Sequence, residues 1–278
     1  MDRYAIVGHP VAHSKSPDIH QRFAELTGQQ LVYERLELPL GGFLSGIEAA
    51  RAGGLRGGNV TVPFKLDAYQ WVQHHSARAR LAEACNTFWF EADGVHGDNT
   101  DGIGLVRDIT HNAGVSLRGA RVLLVGAGGA GAGALGPLLA ERPAELVLTN
   151  RTVARAQALA QRHADWAAQH GVKLTTAGLH DVSGSFDVVI NATATSLQGA
   201  EPPLPASALR TGTLVVDMMY GPKAEPFAAW ARAQGATVRD GLGMLVEQAA
   251  EAFQCWRGVL PPGAQVLQER RAEMAGQG

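Results

Sequence analysis

Cysteine, lysine and long apolar runs are all scarce in this chain. The two cysteines, Cys85 and Cys255, are too few for a disulfide framework. One lies in an apolar, strand-like stretch and the other in a C-terminal helical pattern, so both read as buried, reduced thiols suited to a reducing cytosol. Lysine occurs at only four positions, Lys15, Lys65, Lys173 and Lys223, and arginine supplies the other basic residues. No uninterrupted apolar run is long enough to span a bilayer, so no membrane partner is expected. The opening Met-Asp-Arg-Tyr enters a strand with no basic segment and apolar core behind it, so no secretory signal is expected. A formal net charge of −2 gives no global field that would favour nucleic acid. The histidines lack H-E-x-x-H spacing and the cysteines are far apart, so no metal site is expected. His74-His75 read as an exposed helix or loop.

What is present is ordinary globular composition, 46% apolar and 18% charged, over a length that suggests one or two domains. Short apolar runs alternate with helical spacing. Strands are predicted over Tyr4–Val7, Leu31–Leu38 and Asn86–Phe90, and helices over Asp18–Thr27, Phe43–Ala52 and Tyr69–Ala84, while Gly58–Val62 leads into Pro63. Gly53-Gly54 and Gly57-Gly58 read as breaks. The second half changes character: Arg121–Val125, Leu146–Asn150, Phe186–Ile190 and Thr213–Val216 are apolar runs that suit strands buried on both faces. Helices are predicted between them at Gly131–Leu139, Val153–Ala168 and Phe227–Gln234, followed by a short strand at Thr237–Arg239. Such a βαβ series is the pattern of a doubly wound nucleotide-binding domain. A last helix over Met244–Trp256 is expected to cross back onto the first domain.

Gly126-Ala127-Gly128-Gly129-Ala130-Gly131 follows a buried strand and opens a helix, which is the context that G-x-G-x-x-G requires. The first glycine permits a tight turn, the second admits a pyrophosphate, and the third lets helix and strand pack closely. Helix N-terminal amides would then face the phosphates. An NAD site usually carries an acid at the end of the next strand. Here the chain reads Asn150-Arg151-Thr152, with Arg155 beyond. A guanidinium can bind a 2′-phosphate that a carboxylate would repel, and residues four apart on a helix share a face. Arg151 and Arg155 are therefore expected to clamp the phosphate of NADP.

Polar groups concentrate in three segments of the first half. Ser14-Lys15-Ser16-Pro17 offers two hydroxyls, although Ser16 could equally be an N-cap. Asn59, Thr61 and Pro63 share a face if their segment is extended. Gly97-Asp98-Asn99-Thr100-Asp101-Gly102 places two carboxylates beside glycines. Lys65 with one of these carboxylates would form a proton-handling pair able to stabilise an alkoxide. Spacing alone does not say which carboxylate it meets.

These motifs, with Gly8–Pro17, Asn59–Lys65, Asn86-Thr87, Asn191-Ala192-Thr193 and Asp240–Leu245, resemble the shikimate dehydrogenases over nearly the whole length. The resemblance implies NADP-dependent interconversion of 3-dehydroshikimate and shikimate in aromatic amino-acid biosynthesis in the cytoplasm, by a monomer or homodimer. It implies two α/β domains with a cleft between them: a substrate domain of residues 1–102 plus 240–278, and a Rossmann-type NADP domain of residues 103–239. It implies that Lys65 and Asp101 are the catalytic pair. Ser14, Ser16, Asn59, Thr61, Asn86, Tyr220 and Gln248 would hold the substrate. Ala127, Asn150, Arg151, Thr152, Arg155, Met218 and Gly241 would contact the cofactor beside the glycine loop. Ser, Thr, Asn and Gln suit a ligand with one carboxylate and three hydroxyls, because they both donate and accept. Two departures stand out: Glu83-Ala84-Cys85-Asn86-Thr87 replaces the Gly-Ala-Val-Asn-Thr of many relatives, and Ser196 stands where some have glycine.

Overall fold

A computed structural model describes residues 1–193 and 204–276. The departure at Ser196 lies outside the described residues. The chain divides into two compact units, one of Met1–Gly104 with Val246–Gly278 and one of Leu105–Leu245.

The first unit is built on a mixed six-stranded sheet. Its strands are β1 (Asp2–Gly8), β2 (Leu31–Glu37), β3 (Leu55–Val60), β4 (His74–His75), β5 (Thr87–Glu91) and β6 (Gly94–Asp98), in the order β2-β1-β3-β5-β6-β4. Strand β1 runs parallel to β2 and β3, while β5 is antiparallel to both β3 and β6. Phe43, Ile47, Phe64, Phe88 and Val95 fill the core on one face.

Gly57-Gly58 are not a break; they lie inside β3. A Cβ on Gly57 would sit 2.6 Å from the Phe88 carbonyl oxygen, and one on Gly58 would sit 2.4 Å from that of Ala5. The glycines let three strands close on one another. The helix expected over Tyr69–Ala84 is instead a helix Lys65–Trp71, the short strand β4 and a helix Ala77–Ala82. Ser76 divides them by capping the second helix, accepting a hydrogen bond from the Ala79 amide. That helix ends at Glu83, whose φ of 51° is left-handed. This conformation suits a glycine better than a side chain. Strand β6 has a single large apolar residue, Val95, so its pairing comes from the hairpin with β5 rather than from a sequence signal.

The second unit carries six parallel strands: β7 (Arg121–Val125), β8 (Glu145–Thr149), β9 (Lys173–Ala177), β10 (Val188–Asn191), β11 (Leu214–Asp217) and β12 (Thr237–Arg239). Their order is β12-β11-β10-β7-β8-β9. Counted within the unit this is the 3-2-1-4-5-6 arrangement of dinucleotide-binding sheets. Alternate residues feed two cores. Val122, Leu124, Leu146, Leu148, Val188 and Ile190 face one side, and Leu123, Val125, Val147, Val189 and Val215 face the other. A sheet covered on both faces explains why these runs are continuously apolar. The helix expected over Val153–Ala168 is broken into Val153–Arg162 and Ala164–His170 at the buried His163. Strand β9, Lys-Leu-Thr-Thr-Ala, lies at the sheet edge, where a polar sequence is tolerated.

Candidate active site

Two carboxylates that sequence could not tell apart are sorted by the fold. Lys65 opens the helix Lys65–Trp71, and Asp101 opens the helix Asp101–Arg107. Their side chains meet, with Lys65 Nζ donating to Asp101 Oδ2 at 2.5 Å. Asp98 faces elsewhere. Arg78 and Ser76 donate to its carboxylate, and Arg78 also bridges to Glu251 at 2.7 Å. Burial alone would raise the Asp98 carboxyl, but the Arg78 bonds outweigh it and hold the group below the usual carboxylate range. Asp98 is thus a structural anion, and Asp101 is the one at the lysine.

The second oxygen of Asp101 accepts from Asn86 Nδ2 at 2.8 Å. The Asn86 amide also reaches Thr100 Oγ1 at 3.0 Å and Gln248 Oε1 at 3.2 Å, while its Oδ1 accepts from the Thr100 amide at 2.8 Å. Asn86 and Gln248 are both buried. Lys65 keeps 26% of its side-chain surface exposed and Asp101 keeps 10%. The ammonium is therefore open to a ligand on one side and held by a buried network on the other.

Asn59 is more committed than sequence suggested. Its amide donates to the Asn86 carbonyl at 3.2 Å and to Thr87 Oγ1 at 2.9 Å, and its Oδ1 accepts from the Tyr33 hydroxyl at 2.7 Å. Both amide hydrogens are used, so one Oδ1 lone pair is what Asn59 still offers a substrate. Sequence reading missed Tyr33, whose ring is buried and stacks on His20 at 4.2 Å. A tyrosine in an alternating strand reads as core, and nothing marks its hydroxyl. Ser14 Oγ accepts from the Ser16 amide at 3.2 Å. Ser16 is not an N-cap, because that place belongs to Lys15, which makes no side-chain cap bond. Thr61 is half-buried beyond the end of β3. His13 is exposed.

In the second unit, Gly126 follows β7 with a φ of 114°, which a side chain rarely adopts. A Cβ on Gly131 would sit 2.0 Å from the Gly126 carbonyl oxygen, so helix Gly129–Ala140 packs as closely as the motif demands. Added Cβ atoms on Gly128 and Gly129 would meet nothing within 4 Å. That open space beside free helix N-terminal amides fits a pyrophosphate. Ala130 lies in the helix's first turn, and the Ala127 amide donates to Asn150 Oδ1 at 3.2 Å. The site lies at the switch point, since Gly126 follows β7 and approaches Ala192 after the neighbouring β10.

Arg151 and Arg155 do not share a helical face as expected. Arg151 precedes the helix Val153–Arg162, whose N-cap is Thr152, and Arg155 lies in its first turn. Both are exposed, and among the described residues neither has an ion pair. Thr152 makes no side-chain cap bond. Two unpaired guanidiniums beside an uncapped helix start fit a terminal phosphate. Met218 and Tyr220 are half-buried beyond β11, and a Cβ on Gly241 would sit 2.2 Å from the Met218 carbonyl oxygen. Burial raises the Tyr220 hydroxyl.

Three family models match in order: the shikimate dehydrogenase substrate binding domain over residues 6–88, shikimate / quinate 5-dehydrogenase over 108–218, and the shikimate 5′-dehydrogenase C-terminal domain over 241–269. The shikimate dehydrogenase (NADP(+)) of Paracidovorax citrulli is 60% identical over 98% of each chain. That of Acidovorax sp. is 57% identical over 99% of this chain and 97% of its own. Among solved structures, the Ael1 enzyme of Pseudomonas putida is 46% identical, with a TM-score of 0.91 over 97% of this chain and 98% of its own. The shikimate 5-dehydrogenase of Thermus thermophilus in complex with NADP(H) and shikimate is 32% identical, with a TM-score of 0.81 over 97% of this chain and 99% of its own. With identity of this order over the full length, and the lysine–aspartate pair and glycine loop in place, the chain belongs to the NADP-dependent shikimate dehydrogenase family.

Proposed function

We propose that this protein reduces 3-dehydroshikimate to shikimate with NADPH, reversibly, in the cytoplasm, as a monomer or homodimer. The observation that carries the reading is the Lys65–Asp101 contact of 2.5 Å backed by Asn86. NADP, when bound, supplies or accepts the hydride. The chain's own residues handle the proton. As the carbonyl oxygen becomes an alkoxide, the Lys65 ammonium donates a proton to it or stabilises its charge. Asp101 keeps that ammonium in place, and Asn86 fixes the carboxylate from the other side. The neutral side chains of Ser14, Ser16, Asn59, Thr61, Asn86, Tyr220 and Gln248 bind the substrate's carboxylate and hydroxyls. Residues 1–102 with 240–278 would hold the substrate, and residues 103–239 the cofactor.

A second reading is an enzyme that also takes quinate or prefers NAD, since one matching family model names both substrates. Asn150-Arg151 at the end of β8, where an NAD site usually has an acid, favours NADP. The purified protein should turn over shikimate with NADP far better than quinate or NAD. Lys65→Ala should lower kcat by about 10²–10⁴-fold with little change in the KM for shikimate, because the ammonium acts mostly in the transition state. A near-normal kcat in that variant removes Lys65 from the mechanism.

A further inference from the structure

The edge of the first unit's sheet assembles a group of side chains that the reaction does not use. Strand β4 pairs with β6 so that His74 lies directly beside His96, and β5 sets Trp89 on the other side of His96. The three rings form a row. Trp89 and His96 stack at 5.4 Å and 23°, and His96 and His74 at 4.5 Å and 27°. Asp93, in the β5–β6 turn, stands at the end of this row. Its Oδ1 is 2.9 Å from His96 Nε2, its Oδ2 is 3.7 Å from His74 Nε2, and its carbonyl oxygen is 3.1 Å from the same His74 nitrogen.

We propose that His74, Asp93 and His96 bind one divalent transition-metal ion of the zinc or nickel kind, with water completing its coordination. The three donor atoms already lie within 4.8 Å of one another. An ion about 2.0–2.2 Å from each donor would draw these three side chains together. His74 and Asp93 have the freedom for this, at 45% and 64% exposed. His96, stacked on Trp89 and 26% exposed, provides the better-fixed ligand. Two imidazoles and one carboxylate are the donors that zinc, nickel and copper select, whereas magnesium and calcium favour oxygen-only sets. Sequence spacing pointed to no metal because the histidines come from two strands that only the sheet makes neighbours. The bound ion would join the short edge strand β4 to the β5–β6 hairpin and so stabilise the first unit. The inference does not rest on the proposed reaction.

Isothermal titration of the tag-free full-length protein with zinc sulfate, and separately with nickel sulfate, tests it. One ion should bind per chain, and magnesium sulfate should give no binding heat. His74→Ala and His96→Gln should each weaken zinc binding at least tenfold, and zinc should raise the Tm of the wild type but not of the variants. A metal-free Tm and a shikimate oxidation rate close to wild type would show that the variants are folded. No zinc binding by the wild type overturns the proposal and leaves the group as a hydrogen-bonded clip on the turn. Zinc binding that survives both substitutions unchanged also overturns it.

Discussion

Asp98 and Asp101 are separated only by Asn99 and Thr100, yet their carboxylates meet different cations. Substitution should separate their roles. Asp101→Asn removes the charge that holds the Lys65 ammonium, and amide nitrogen against ammonium is an unfavourable contact. Turnover of shikimate should fall by about one to three orders of magnitude, while the urea midpoint moves less than in Asp98→Asn, because the cation left behind, Lys65, keeps 26% of its side chain exposed to water. Asp98→Asn should do the reverse. It breaks a buried pair with Arg78, which costs about 3–5 kcal/mol when one partner is lost. Arg78 keeps Glu251 at 2.7 Å, so the lower end of that range is expected. Steady-state kinetics and urea unfolding on the same two preparations give the comparison. If Asp98→Asn abolishes turnover at full stability, the sorting of the two acids is wrong.

At the scale of elements, the start of the helix Val153–Arg162 gathers the uncapped Thr152, the exposed Arg151 and Arg155, and Asn150 bound to the Ala127 amide. Charge-assisted bonds to a phosphate are worth roughly 1.5–3 kcal/mol each before screening. Arg151→Ala with Arg155→Ala should therefore reduce kcat/KM for NADP by about tenfold to a few hundredfold and leave NAD nearly unchanged. The preference should also shrink at high salt, because both arginines are exposed. Equal losses with both cofactors would show that the arginines serve the fold rather than the 2′-phosphate. Much of this element was legible in the chain: the apolar run before Gly126, the glycine spacing and the missing acid all rest on local chemistry. The shared helical face assigned to Arg151 and Arg155 was not: the helix begins at Val153, as its pattern predicts, so Arg151 lies ahead of it and the four-residue helical spacing does not relate the two. Strands β4 and β6 were likewise hidden. They have few apolar residues, and their pairing depends on partners brought in by the sheet. Tyr33 shows the same limit within the site: its pattern marks it as core, while its hydroxyl's task depends on where Asn59 arrives.

Over the whole molecule, one buried histidine in each unit ties folding to pH. His20 is fully buried among Tyr33, Phe23, Phe253 and Trp256. Burial pushes its pKa down to about 3. His163 is buried at the break between two helices, and burial lowers it to about 4 despite its Nδ1 contact with the Leu159 carbonyl at 3.0 Å. In the unfolded chain both should titrate near 6.5. Below that pH the unfolded state takes up protons that the folded state refuses until the lower values are reached. Stability is thus fully present above about pH 6.5 and is lost as pH falls toward 4 and 3. Each pH unit inside this window costs about 1.4 kcal/mol per histidine, so a drop to pH 5 costs about 2 kcal/mol in each unit. The lowered carboxylates, such as Asp98, act only at more acidic pH, so pH 7 to 5 isolates the histidines. Hydrogen exchange followed peptide by peptide in mild urea reads the two units separately. Both should lose protection between pH 7 and 5 once the intrinsic exchange rate is corrected for. His20→Phe keeps a ring in the stack and removes the titration, so it should flatten the loss in strands β1 to β3 and leave that in β7 and β8 as in the wild type. An unchanged pH dependence in β1 to β3 would mean that His20 is not the group that protonates on unfolding.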